Sequence, residues 1–142
     1  MVVLDTNCVL DAWLFEDPHV AALPHAIRTR HICWIATPAM RSELMRVLGY
    51  PALTRPLAAR GLTAESVLGA FDRWAQPVAP ARASALRCTD PDDQMFIDLA
   101  VQWHAALFSR DRAVRALAQR LRPEGVRVWP AGADVPSGAH PG

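Results

Sequence analysis

Short apolar runs alternate along the chain with longer stretches in which apolar residues recur every three or four positions. Val2-Val3-Leu4 has no polar interruption, the pattern of a strand covered on both faces in a parallel sheet, and it stops at Asp5. A helix is predicted from about Cys8. Asp17-Pro18 reads as a helix start, Asp as cap and Pro at the first position, where its missing N–H costs nothing; this helix is expected to reach about Arg30, interrupted near Pro24. Ile32 to Ile35 is a second strand. Thr37-Pro38 opens a helix to about Leu48 with Met40, Leu44, Val47 and Leu48 as its stripe, closed by Gly49 and Pro51. Residues 51–60 and 63–75 read as helical, the second on Val67, Leu68, Phe71 and Trp74, and residues 77–88 as a connection. Asp90-Pro91 starts a helix through about Trp103 with Phe96, Leu99, Ala100 and Trp103 on one face. Ala105 to Phe108 is a strand, Val114, Leu117, Ala118 and Leu121 mark a last helix, and Val126 to Trp129 is a final strand.

Strands separated by helices predict an α/β fold, a three-layer α/β/α sandwich around a small, mostly parallel sheet. At 142 residues there is room for one domain, expected over residues 1–129, with 130–142 a Pro-, Gly- and Ala-rich tail. Net charge is +1, but all 15 basic residues are arginine, which excludes chemistry that needs a lysine, such as a Schiff base or a P-loop phosphate grip. Cys8, Cys33 and Cys88 are widely spaced and His19, His25, His31, His104 and His140 are scattered, so neither a disulfide framework nor a zinc site is expected. The chain opens directly on a strand and has no apolar run of roughly 18 residues, so a cytoplasmic protein without a membrane span is expected.

The carboxylates change this picture. Asp5 ends an apolar strand at the sheet edge where ligands of open α/β folds collect, although helix capping is an equal explanation. Thr6 and Asn7 extend that polar corner. Glu43, three after Met40 and four before Val47, lies on or beside the buried stripe of its helix, where an ionised carboxylate needs a cation or a strong donor. Pairing with Arg46 is the bland alternative. In Asp90-Pro91-Asp92-Asp93, Asp90 suits the cap and Asp92 solvent, whereas Asp93 shares the register of Phe96 and Ala100; Asp98 is expected to be solvated. Asp111 follows a strand and precedes a helix, again with capping as the competitor. Four carboxylates in one pocket would repel each other unless a divalent cation bound, and oxygen-only ligands select Mg²⁺ or Mn²⁺. Arg41, Arg110 and Arg112 stand close enough in sequence to these acids to hold phosphates, with a solvated helix face as the favoured bland alternative for each. A phosphatase with Asp5 as nucleophile fits poorly, because the position of its usual partner acid is Asn7 and no lysine is present.

Val-Leu-Asp-Thr-Asn at 3–7, Ser-Glu-Leu-Met-Arg-Val-Leu at 42–48, Asp-Pro-Asp-Asp-Gln-Met-Phe-Ile-Asp-Leu-Ala at 90–100 and Ser-Arg-Asp at 109–111 resemble, in order, the motifs of PIN-domain proteins, most of all those assigned as toxins of toxin-antitoxin systems. The resemblance implies an acidic quartet of Asp5, Glu43, Asp93 and Asp111, with Asn7 and Ser109 as polar supports and Asp90 beside them; the ion is expected to be held chiefly by Asp5 and Asp93, with Asp111 and Glu43 directly or through waters. It implies a Mg²⁺- or Mn²⁺-dependent endoribonuclease with RNA as substrate and an antitoxin protein or a second subunit, as a homodimer, as partner; Trp13-Leu14-Phe15 is either core or a contact surface. Where such proteins often carry another acid two residues beyond the last one, this chain has Ala113, which favours one ion over two. A catalytically idle fold that binds RNA or protein is the alternative.

Overall fold

The structure, a computed structural model, describes residues 1–129; the Pro-, Gly- and Ala-rich segment 130–142 lies outside the described residues. Five short strands, β1 (Val2–Leu4), β2 (Trp34–Ala36), β3 (Ala75–Pro77), β4 (Ala106–Phe108) and β5 (Val128–Trp129), form one sheet in the order β3-β2-β1-β4-β5, each neighbouring pair parallel. The α/β expectation stands. The unexpected strand is β3: only Ala75 of its three residues is buried, and Pro77, which cannot donate to a ladder, is tolerated because the strand pairs on one side only. Three residues with one buried position leave no periodicity to read.

The helices are α1 (Thr6–Trp13), α2 (Ala22–Arg28), α3 (Pro38–Leu48), α4 (Thr54–Ala59), α5 (Ala64–Trp74), α6 (Gln94–Trp103), α7 (Arg112–Arg115) and α8 (Ala118–Leu121). Several starts differ from expectation. α1 begins at Thr6, because Asp5 already accepts from the Cys8 amide and caps it. Asp17-Pro18 begins a 3₁₀ turn, Pro18–Val20, and α2 follows as a separate helix. Pro24 does not interrupt α2, since it stands in the first turn, where an N–H would have no intrahelical partner. Asp90-Pro91 likewise opens a 3₁₀ turn, Pro91–Asp93, before α6, and the last predicted helix is divided into α7 and α8.

Crossovers run from β1 to β2 and from β2 to β3 in one direction, and from β3 to β4 and β4 to β5 in the other; with the right hand that parallel connections follow, this puts the helices before β3 on one face and those after it on the opposite one. The contacts agree: α1 packs on α2 and α3, α3 on α5, and α6 on β1 and β4. On the first face Trp34 is sandwiched between Trp13, stacked at 5.0 Å, and the edge of Phe71 at 5.1 Å. On the second, Ile97, Leu99 and Ala100 of α6 are fully buried, as is Leu107 of β4. Replacing Leu107 with Ala is expected to lower unfolding stability by about 2–5 kcal/mol, through lost burial and the cavity left in a close-packed interior; urea denaturation measures it, and a change below about 1 kcal/mol would contradict this account of the core.

Candidate metal centre

The two crossover directions diverge on either side of β1, so a crevice opens beyond the carboxyl ends of β1 and β4, the topological switch point where open parallel sheets bind ligands. Asp5 follows β1 directly, and Ser109 and Asp111 follow β4. α6 runs back toward the start of β4, so its beginning, with Asp90 and Asp93, returns to the same crevice.

Asp5 is only 4% exposed. Its Oδ1 accepts from the Cys8 amide at 2.8 Å and its own amide donates to the Phe108 carbonyl at 3.1 Å, extending the β1–β4 pairing by one residue. Burial raises its pKa, while the nearby Ser109 hydroxyl and the Cys8 amide bonded to the carboxylate pull it back. Ser109 is fully buried, and its Oγ also accepts from the Asp111 amide at 3.1 Å. The Ser109 hydroxyl thus lies beside both residues that follow the two central strands. Asp111 caps α7, Oδ1 accepting from Ala113 at 2.8 Å, and Asp90 caps its 3₁₀ turn, Oδ1 accepting from Asp92 at 2.9 Å. Asp93 stands at the cap position of α6 but makes no capping bond, and its Oδ2 is shielded from solvent without any hydrogen-bond partner among the described residues.

Asp90, Asp93 and Asp111 each present a ligand oxygen, all within 4.8 Å of one another. Capping does not exclude ligation, because a carboxylate has two oxygens and several lone pairs. Burial, then repulsion from Asp111, Asp90 and Asp5, pushes the Asp93 carboxyl up to about 7. Three oxygen donors converging with an orphaned carboxylate oxygen fit a hard divalent cation, which would supply the missing partner.

Other residues singled out in the sequence lie around this centre. Glu43 is half-buried at the neighbouring edge of the crevice, where it accepts from the Thr6 hydroxyl and lies 3.6 Å from Arg46. It therefore ties α3 to the start of α1 and is not among the three converging acids. Asn7 is exposed. Arg41 is engaged by Asp72 through two bonds of 2.7 and 2.9 Å, away from the acids, because α5 packs alongside α3. Arg112 is exposed on α7, and Arg110 reaches Asp11 at 3.1 Å. Asp98, expected in solvent, is half-buried instead: it accepts from the Ser84 amide, the Ser84 hydroxyl and Gln94 Nε2. Gln94 in turn accepts from the Cys88 amide at 2.6 Å and donates to the Leu86 carbonyl, so the pair straps residues 84–88 to α6 just ahead of Asp90. The four-residue spacing of Gln94 and Asp98 was the available signal. In the sequence Asp90 has only the marks of a cap and a support, because its loop position shows no register; the returning path of α6 sets it against Asp111.

A family model described as PIN domain matches residues 1–113, a span that includes every one of these acids. The chain belongs to the PIN-domain family. PIN domains are typically nucleases that depend on divalent metal, which agrees with the chemistry of this oxygen cluster. No curated protein matches the chain. Among the described residues of this PIN domain, no helix is long and apolar enough to cross a membrane.

A pH prediction follows from Asp93. Its folded pKa of about 7 exceeds its ordinary value of 3.8, so between these two values the folded state holds a proton that the unfolded chain has released. The metal-free protein should therefore lose stability as pH rises from about 4 toward 7, and Asp5, also raised, acts in the same direction. Urea midpoints recorded across that range should fall for the metal-free wild type, fall less for Asp93→Asn, and recover with Mn²⁺. A midpoint that climbs through this window in the wild type alone would contradict the clustering.

Proposed function

We propose that this PIN domain is a Mg²⁺- or Mn²⁺-dependent endoribonuclease that hydrolyses phosphodiester bonds and acts as the toxin of a toxin-antitoxin pair. The observation that carries the nuclease reading is Asp93, an acid with an unpartnered buried oxygen set against Asp90 and Asp111 at the switch point of the sheet. Asp90, Asp93 and Asp111 would hold the ion. When bound, such an ion neutralises charge at the scissile phosphate and makes water a better nucleophile. Asp5, oriented by the Cys8 amide, is held as a general base for that water would need to be. Glu43 keeps α3 against the start of α1 through Thr6. With Ala113 in place of a further acid, one ion is the expected stoichiometry. The choice of RNA over DNA, the antitoxin partner and the homodimer rest on the resemblance of the motifs to PIN toxins.

Labelled single-stranded RNA and a DNA of matching sequence should be incubated with Mg²⁺, Mn²⁺ or EDTA. RNA cleavage is expected with either ion and none with EDTA, and Asp93→Asn or Asp5→Asn should reduce the rate on the order of 100-fold or more. Undiminished cleavage in EDTA would overturn the metal reading, a pure DNA preference would overturn the substrate, and RNA binding without cleavage would leave a binding module. Induction in a host lacking the inhibitor should arrest growth with the wild type and not with Asp93→Asn; continued growth with an active wild-type enzyme would remove the toxin role.

A further inference from the structure

Asp11 lies on α1, six residues beyond Asp5, and is 2% exposed. A carboxylate that deep is costly without compensation. Its cation is Arg110, whose Nη2 donates to Oδ1 at 3.1 Å across the gap between α1 and the turn that follows β4; Oδ2 has no hydrogen-bond partner among the described residues. Stability alone explains this poorly, because apolar residues of similar volume commonly replace a buried ion pair at no loss. Position explains it better. In the chain Arg110 stands between Ser109, whose Oγ accepts from the Asp111 amide, and Asp111 of the acidic cluster. Its side chain remains 49% exposed, and a guanidinium has five donors in a planar fork suited to phosphate, of which the bond to Asp11 uses one nitrogen. Arg41, by contrast, already commits Nε and Nη2 to Asp72. A cluster of acids repels a polyanion, so a cation fixed at its flank answers a need that the cluster itself creates.

We propose that Asp11 is a positioning residue that holds Arg110 at the flank of the acidic centre, where the guanidinium takes a backbone phosphate of the polynucleotide beside the one that is cut. This rests on the nuclease reading above. The test is fluorescence anisotropy of a labelled 12-nucleotide oligouridylate in Ca²⁺ over a range of KCl, with the integrity of the RNA checked on gels and with folding and Mn²⁺ affinity measured for each variant. Arg110→Ala should weaken binding about tenfold and reduce the slope of log affinity against log salt by about 0.7, the value of one phosphate contact on a single strand. Arg110→Lys should keep the slope and weaken binding less, since it keeps the charge and loses the fork.

Asp11→Asn removes a negative charge, which on charge alone would tighten binding; positioning predicts weakening of about threefold or more instead. The double variant should be no weaker than Arg110→Ala, because Asp11 acts through Arg110. Should Asp11→Asn fail to fold, Asp11→Ser carries the same comparison. Equal or tighter binding by the folded Asp11 variant, or an unchanged salt slope in Arg110→Ala, overturns the inference while a wild type that cleaves RNA keeps the proposed function. A wild type that neither binds nor cleaves the oligonucleotide removes both.

Discussion

Repulsion among Asp5, Asp90, Asp93 and Asp111 is the constraint around which the crevice is organised. Left in water these carboxylates would separate; here three elements hold them together against both burial and like charge, and the cost is visible in Asp93, pushed up to about 7. The framework that resists it is apolar. β1 and β4, central in a sheet with helices on both faces, fix the positions after Leu4 and Phe108, and the buried face of α6 packs on both strands and brings Asp90 and Asp93 back to their carboxyl ends. The acids cannot relax apart without disturbing that core.

Local hydrogen bonds then give each acid an orientation. Asp5, Asp90 and Asp111 each accept from a backbone amide two or three residues ahead, so turn chemistry and helix capping aim the side chains before any ligand arrives. Asp93 is the exception, with a shielded oxygen that nothing satisfies. That contrast makes Asp93 the acid that best fits a divalent cation, since buried acceptors in folded proteins are nearly always paired. Around this centre Glu43 with Thr6, Asp98 with Ser84 and Gln94, and Asp11 with Arg110 each spend a carboxylate on joining two segments. Three acids near the crevice of this PIN domain therefore act as ties, and Asp90, which has the marks of a cap in the sequence, stands with Asp93 and Asp111 where Glu43 was expected.

Much of this was determined by the sequence itself. Continuous apolar runs and three-to-four-residue stripes are local consequences of strand and helix geometry, so four strands, the main helices and the α/β class could be read from Val2-Val3-Leu4, Met40-Leu44-Leu48 or Phe96-Leu99-Ala100. The same local rules placed Asp5 and Asp111 at strand ends. β3 escaped because an edge strand of three residues has no period, and the 3₁₀ turns at Pro18 and Pro91 escaped because an Asp-Pro start looks the same whichever helix follows. Which acids meet is different in kind. It depends on strand order and on the direction in which α6 returns, and neither is encoded within a window of neighbouring residues. Only the tertiary structure set Asp90 with Asp93 and Asp111, turned Glu43 toward Thr6, gave Arg41 to Asp72 and Arg110 to Asp11, because charge pairing acts between groups that are close in space whatever their separation along the chain.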